Sequence, residues 1–139
     1  MEISLKSNLD DIAKKVNNQG KELRGSVKSA LLKTALHGIN IIEDRTADNR
    51  GLKGRFPKYS PKYLEFRKSK GRGKNVDLQF TGKMLGSMSA ISTNSYAEIY
   101  FMRATEAKKA AGVGKKRPFF GFSRKERSNL AEVLFKALK

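Results

Sequence analysis

Cysteine is absent from this sequence, histidine occurs once, and acidic residues are scarce. Without cysteine there is no disulfide framework, no thiol nucleophile and no thiolate site for zinc or an iron–sulfur cluster. The lone histidine, His37, leaves no multi-histidine metal site. It lies among apolar residues in the middle of a helical pattern, where an ordinary packing role is expected. No apolar run approaches the ~18–20 residues that cross a bilayer as a helix. Met1–Lys6 lacks the apolar core of a secretory leader. The expectation is a protein made in a reducing cytoplasm, with no membrane partner. Thirteen Asp+Glu stand against thirty Lys+Arg, a formal charge of +17. That imbalance points to an anionic partner such as nucleic acid, an anionic membrane or an acidic protein surface.

What is present is a patterned chain. Its 139 residues, 38% of them hydrophobic, predict one domain, 1–139, with one modest core. Residues 1–20 read as an arm and short helix: Ile3 and Leu5 alternate with polar neighbours, Ser7 or Asn8 can cap, and Leu9, Ile12, Ala13 and Val16 share a face. A longer amphipathic helix is expected over 22–48, from Leu23, Val27, Ala30, Leu31, Thr34, Ala35, Ile39 and Ile42 at three- and four-residue steps. Gly25 and Gly38 inside it suggest close packing or a bend. Residues 49–75 are rich in Gly, Pro and Lys and read as a long basic loop, with one helical turn at Pro61. Strands are expected at 76–80, 86–93 and 96–102, and a helix over 104–111 ended by Gly112-Val113-Gly114. Arg117–Phe122 is an apolar loop in which Phe119, Phe120 and Phe122 are expected in the core. Ser123 and Glu126 form a capping-box pattern before a last helix carrying Leu130, Val133, Leu134 and Leu138 on one face. The fold class is therefore α+β: a long N-terminal helix on a small antiparallel sheet, with a C-terminal helix and a long basic loop.

Little of this pattern suggests catalysis. Gly114-Lys115 and Gly73-Lys74 fail the phosphate-loop spacing; for the former, Lys109 stands at the first glycine position and Lys116 at the Ser/Thr position. Asp77 with Glu106-Ala107-Lys108 imitates the Asp…Glu-x-Lys set of a magnesium nuclease, but Glu-x-Lys shares a face only on a strand, and 104–111 reads as helix. A nucleic-acid-binding module fits better. Eleven basic residues lie between Arg50 and Lys83, opposed only by Glu65 and Asp77 and interleaved with Phe56, Tyr59, Tyr63 and Phe66. Basic grooves with aromatic platforms bind single strands. The same aromatics could instead pin the segment to the core while the lysines stay in water. No helix-turn-helix, RRM or KH signature is present.

The order of the pieces carries more than any one of them. A helical first half precedes Phe56-Pro57-Lys58-Tyr59-Ser60-Pro61-Lys62-Tyr63, then Val76-Asp77-Leu78-Gln79-Phe80-Thr81-Gly82-Lys83-Met84-Leu85-Gly86-Ser87-Met88. A strand pair follows, then Arg117-Pro118-Phe119-Phe120-Gly121-Phe122-Ser123 opening a terminal helix. From about residue 20 onward, this resembles the tail-completion, or head–tail joining, proteins of tailed bacteriophages, a group that includes the virion-morphogenesis proteins. The basic stretch 67–75 departs from that pattern. The resemblance implies a small α+β subunit forming a homo-oligomeric ring in the virion neck. Its partners would be the portal or connector and the tail tube or tail terminator, with DNA passing nearby. It implies no reaction and no cofactor. The expected location is the virion, and the host cytoplasm during assembly. Residues 49–75 then read as an assembly arm that orders on a neighbour, with Phe56, Tyr59, Tyr63, Phe66, Lys68, Lys70, Arg72 and Lys74 as candidate interface residues. The excess cations are expected on outer or axial faces against acidic partners, because a cationic lumen would retard passing DNA.

Overall fold

The computed structural model describes residues 2–4, 24–78 and 82–138. The expected cap at Ser7 or Asn8 and the helix to Asn17 lie outside the described residues.

Helix α1, Arg24–Ala47, is the spine. Its buried stripe is Val27, Ala30, Leu31, Thr34, Ala35, Ile39, Ile42 and Thr46, the face that the apolar spacing predicts. The two threonines are buried without penalty because their hydroxyls bond carbonyls one turn back: Thr34 to Ala30 at 2.7 Å and Thr46 to Ile42 at 2.9 Å. His37 departs from expectation: it is exposed, on the solvent side of α1.

The sheet has three antiparallel strands, β1 (Glu2–Ser4), β4 (Met88–Ser92) and β5 (Ala97–Phe101), in the order β1-β5-β4. Inward Ala97, Ile99 and Phe101 alternate with half-buried Glu98 and Tyr100, the pattern of a sheet with one face on the core. Helix α1 packs on β4 and β5, and on α5 (Arg124–Ala137). The hairpin at 94–95 is as expected, and Thr93 holds its turn by accepting the amides of Ser95 and Tyr96, both at 3.2 Å.

The third strand is a correction. It was expected from 76–80, of which 79 and 80 lie outside the described residues; 76–78 form no strand, and the place beside β5 is taken by β1, in the register Glu2↔Tyr100, Ile3↔Ile99, Ser4↔Glu98. Leu78 adopts φ 61°, a left-handed conformation that ends any extended run. Val76 is buried in the core without joining the sheet.

The long basic loop is also corrected. Residues 49–75 contain a two-stranded ribbon, β2 (Arg50–Gly51) with β3 (Gly54–Arg55), and a nine-residue helix, α2 (Pro61–Ser69). Ser60 caps α2 by accepting the Tyr63 amide at 3.2 Å, with Pro61 at the first helical position. The segment is also tied to the body of the fold. Phe56 is buried, the Leu52 amide donates to the Pro118 carbonyl at 2.9 Å, and Arg117 donates to the carbonyls of Pro57 and Lys58 at 3.1 and 3.0 Å.

After Gly82, at φ 77°, the short helix α3 (Lys83–Gly86) buries Met84 and Leu85. Helix α4 runs Ala104–Lys116, straight through the glycines expected to stop it. Ala110 is buried, Val113 packs against the core, and the Arg117 amide closes the last turn on the Val113 carbonyl at 2.8 Å. Packing outweighs the glycine cost of roughly 1 kcal/mol per residue.

The apolar loop is core, as expected: Phe119 and Phe122 are buried and Phe120 packs on them. Gly38 explains itself here, since a Cβ would sit 2.7 Å from the Phe122 ring. The Ser123/Glu126 capping box is formed in both directions. Arg45 of α1 binds this assembly. Its guanidinium donates to Glu126 Oε1 at 2.5 Å and to the carbonyls of Phe119 and Gly121. Burial lowers the Arg45 pKa, and the charge and hydrogen bond of Glu126 oppose that shift.

Candidate functional site

Helices α2 and α4 flank a cleft of about 520 Å³. Tyr59, Tyr63 and Arg67 come from the α2 side, Leu78 and Met84 from the segment between, and Glu106, Lys109, Val113, Lys116 and Arg117 from α4 and its end. The local fold explains the set. Residues 63 and 67 lie one helical turn apart on α2 and so share a face. Arg117, just past α4, is held against the backbone leading into α2 by its bonds to Pro57 and Lys58.

Tyr59 is the hub. The Arg67 guanidinium carbon lies 5.0 Å from its ring centre and that of Arg117 4.7 Å, both within cation–π range. Tyr63 meets Tyr59 edge-on at 4.8 Å and stacks with Phe66 at 6.2 Å. Burial raises the Tyr59 phenol above its ordinary value, and the nearby Arg67 charge opposes that shift.

Arg67 is 2% exposed. Its Nε donates to the Gly73 carbonyl at 3.0 Å, and Nη2 lies 3.8 Å from Asp77 Oδ1. Its Nη1 has no hydrogen-bond partner among the described residues. Across the cleft Glu106 is 4% exposed. Its Oε1 accepts from Lys109 Nζ at 3.3 Å, while Oε2 is buried and has no partner. Buried polar atoms are usually paired, so one orphan donor and one orphan acceptor lining the same cleft stand out.

The expected interface residues divide. Phe56 is in the core, and Tyr59 is half-buried, wedged among cations. Tyr63 and Phe66 are 36% and 48% exposed. Lys68, Lys70, Arg72 and Lys74 are exposed, at the end of α2 and in the turn after it. The cleft thus collects Tyr59 and Tyr63 from that set and leaves the lysine run outside.

The Asp…Glu-x-Lys reading does not assemble. On α4 the Glu106 partner is Lys109, not Lys108, and Asp77 faces Arg67. Among the described residues no group of three or more His, Asp or Glu lies close enough to hold a metal ion, and no helix is long and apolar enough to cross a membrane.

Sequence reasoning met Glu106 only in the magnesium-nuclease pattern and Arg67 only as part of the basic stretch, and did not read Lys109, Lys116 and Arg117 as site residues. Arg67 carried a signal, because an arginine one turn after Tyr63 places a cation on the aromatic face. For α4, Glu106 three residues before Lys109 marks an ion-pair face, but nothing in the order of residues says that α4 faces α2. No family model matches the chain, and neither curated proteins nor solved structures yield a match.

Proposed function

We propose that this chain is a structural subunit of the neck of a tailed bacteriophage, a ring-former that joins the DNA-filled head to the tail during assembly. The quoted motifs and their order first suggest it. The observation that carries it is the character of α2. Among the described residues no other helix or strand packs extensively on its backbone, and it shows Tyr63 and Phe66 outward beside exposed Lys62, Lys68 and Lys70. A projecting aromatic element on a compact α+β body can reach a neighbouring copy, and repeated heterologous contacts of that kind close a ring. The portal or connector and the tail tube or terminator are the remaining partners, and the virion is the location. Complementary charge on those partners would speed docking and fix register.

The test is mass by light scattering, alone and with a tail-tube partner, for the wild type and for Tyr63→Ala/Phe66→Ala. The expected result is a ring, or a partner-induced ring, that the double variant cannot form while its monomer stays folded. Monomeric behaviour of the wild type under both conditions contradicts the reading. The stacked Tyr63 and Phe66 rings among cations also favour a second reading, non-sequence-specific binding of single-stranded nucleic acid. Replacing Lys68, Lys70, Arg72 and Lys74 by Gln separates the two: the neck reading expects weakened docking at low salt, whereas selective loss of DNA affinity with assembly intact favours nucleic acid.

A further inference from the structure

The cleft between α2 and α4 has features that ring formation does not use. Its walls carry four cations, Arg67, Lys109, Lys116 and Arg117, against one carboxylate, Glu106. Leu78, Met84 and Val113 supply apolar surface. Arg67 Nη1 and Glu106 Oε2 are both buried without a partner. Leaving such groups unmade costs more than an average hydrogen bond returns, so the arrangement is in need of a ligand that offers an anion, a donor and apolar surface together.

We infer that this cleft docks an acidic, partly apolar peptide segment of a partner protein. A carboxylate of the segment meets Arg67, framed by Lys109, Lys116 and Arg117. A main-chain N–H answers Glu106 Oε2. An apolar side chain lies against Leu78, Met84 and Val113. Both orphan atoms are shielded from solvent, so engagement includes a side-chain adjustment at the cleft floor. Charge complementarity selects the occupant. A second copy of this chain, at +17 with thirteen acidic residues, is a poor source of such a segment. A phosphodiester strand would bring its charges against buried Glu106, which peptide N–H groups satisfy instead. The inference shares with the ring reading only the expectation of a protein partner, and its test is made on the isolated chain, so either can fail alone.

The probe is a fluorophore-labelled, acetylated heptapeptide alternating leucine and glutamate, compared with its glutamine counterpart by fluorescence anisotropy. The glutamate peptide is expected to bind at least about tenfold more tightly. Lys109→Gln/Lys116→Gln should weaken it about three- to tenfold, whereas Arg124→Gln/Lys125→Gln, which removes equal charge from exposed α5 positions outside the cleft, should leave it unchanged. Arg67→Lys should also weaken binding, with the circular-dichroism spectrum and melting temperature monitored. The lysine pair keeps the test decisive if that variant loosens α2. Equal affinity for the two peptides, no binding at millimolar protein, or equal losses in both double variants would overturn the assignment. So would displacement of the peptide by a ten-residue oligothymidylate whose own binding is lost in Lys109→Gln/Lys116→Gln, an outcome that assigns the cleft to nucleic acid.

Discussion

Arg45 and Arg67 both turn their side chains largely away from solvent, and their surroundings differ. Arg45 spends both terminal nitrogens inside the chain, on Glu126 and on the carbonyls of Phe119 and Gly121, and leaves only Nε without a partner. Its carboxylate is shared with the capping box, since Glu126 Oε1 also accepts the Ser123 amide at 2.8 Å. One oxygen thereby ties α1, the apolar loop and the start of α5. Arg67 is buried at least as deeply, with its side chain 3% exposed against 10% for Arg45. Yet its carboxylate is 3.8 Å away and its Nη1 is unpaired. A guanidinium met by a carboxylate at 2.5 Å and two carbonyls holds the fold. Arg67 has one carbonyl, a looser carboxylate and two ring faces, and it lines the cleft proposed above as a docking site.

Substitutions can break that contrast. The largest effect is expected for Arg45→Met, which strands Glu126 and two carbonyls in a low-dielectric site; the loss is about 3–5 kcal/mol in urea unfolding. If the loss is no greater than for Arg67→Met, the distinction collapses. Next is Gly51→Ala, where the ribbon runs against Pro118 at the start of the apolar loop. The new Cβ would meet the Pro118 carbonyl at 2.3 Å and the Phe56 ring at 2.4 Å, and because one obstacle is backbone the cost should be about 1–3 kcal/mol. Arg67→Met should cost only about 1–2 kcal/mol, for one neutral-acceptor hydrogen bond and the ring contacts. Hydrogen exchange should show the loss confined to α2 and the following turn. The smallest effect concerns pH. Burial raises the Tyr59 phenol above its ordinary value of 10.0, so the unfolded chain releases that proton first. The associated stability is complete below pH 10.0 and falls as pH rises through the folded-state value. Tyr59→Phe should flatten that part of the alkaline decline in chemical unfolding, relative to the wild type.

Periodicity made the helical skeleton legible. Val27 through Ile42 declared α1 and its buried face, Ser123 and Glu126 declared the start of α5, and Phe119 and Phe122 were placed in the core. The failures have physical causes. Val76, Leu78 and Phe80 alternate like a strand, but the left-handed backbone at Leu78 is a local conformation that alternation does not encode. Gly112 and Gly114 read as a stop because their cost is local, whereas the packing of Ala110 and Val113 that offsets it is tertiary. The Ser60-Pro61 start was legible, but the helix it opens runs on to Ser69, further than the one turn that the lysine-rich composition suggested. The cleft was illegible for a further reason: Arg67 and Glu106 are thirty-nine positions apart, and tertiary contacts such as those of Arg117 with the Pro57 and Lys58 carbonyls bring the two walls into one cavity.

The β1–β5 pairing sets an order of events in time. Strands β4 and β5 are joined by a short turn, and a hairpin of that kind forms within about 1–10 μs. Strand β1 must wait for its partner, because Glu2 pairs with Tyr100 and a closure of that span is entropically slow. On a ribosome adding about 5–20 residues per second, β1 precedes its partner β5 by on the order of 5–20 s. During that interval β1 lacks the edge it pairs with, and the growing chain is open to pairing with the wrong one.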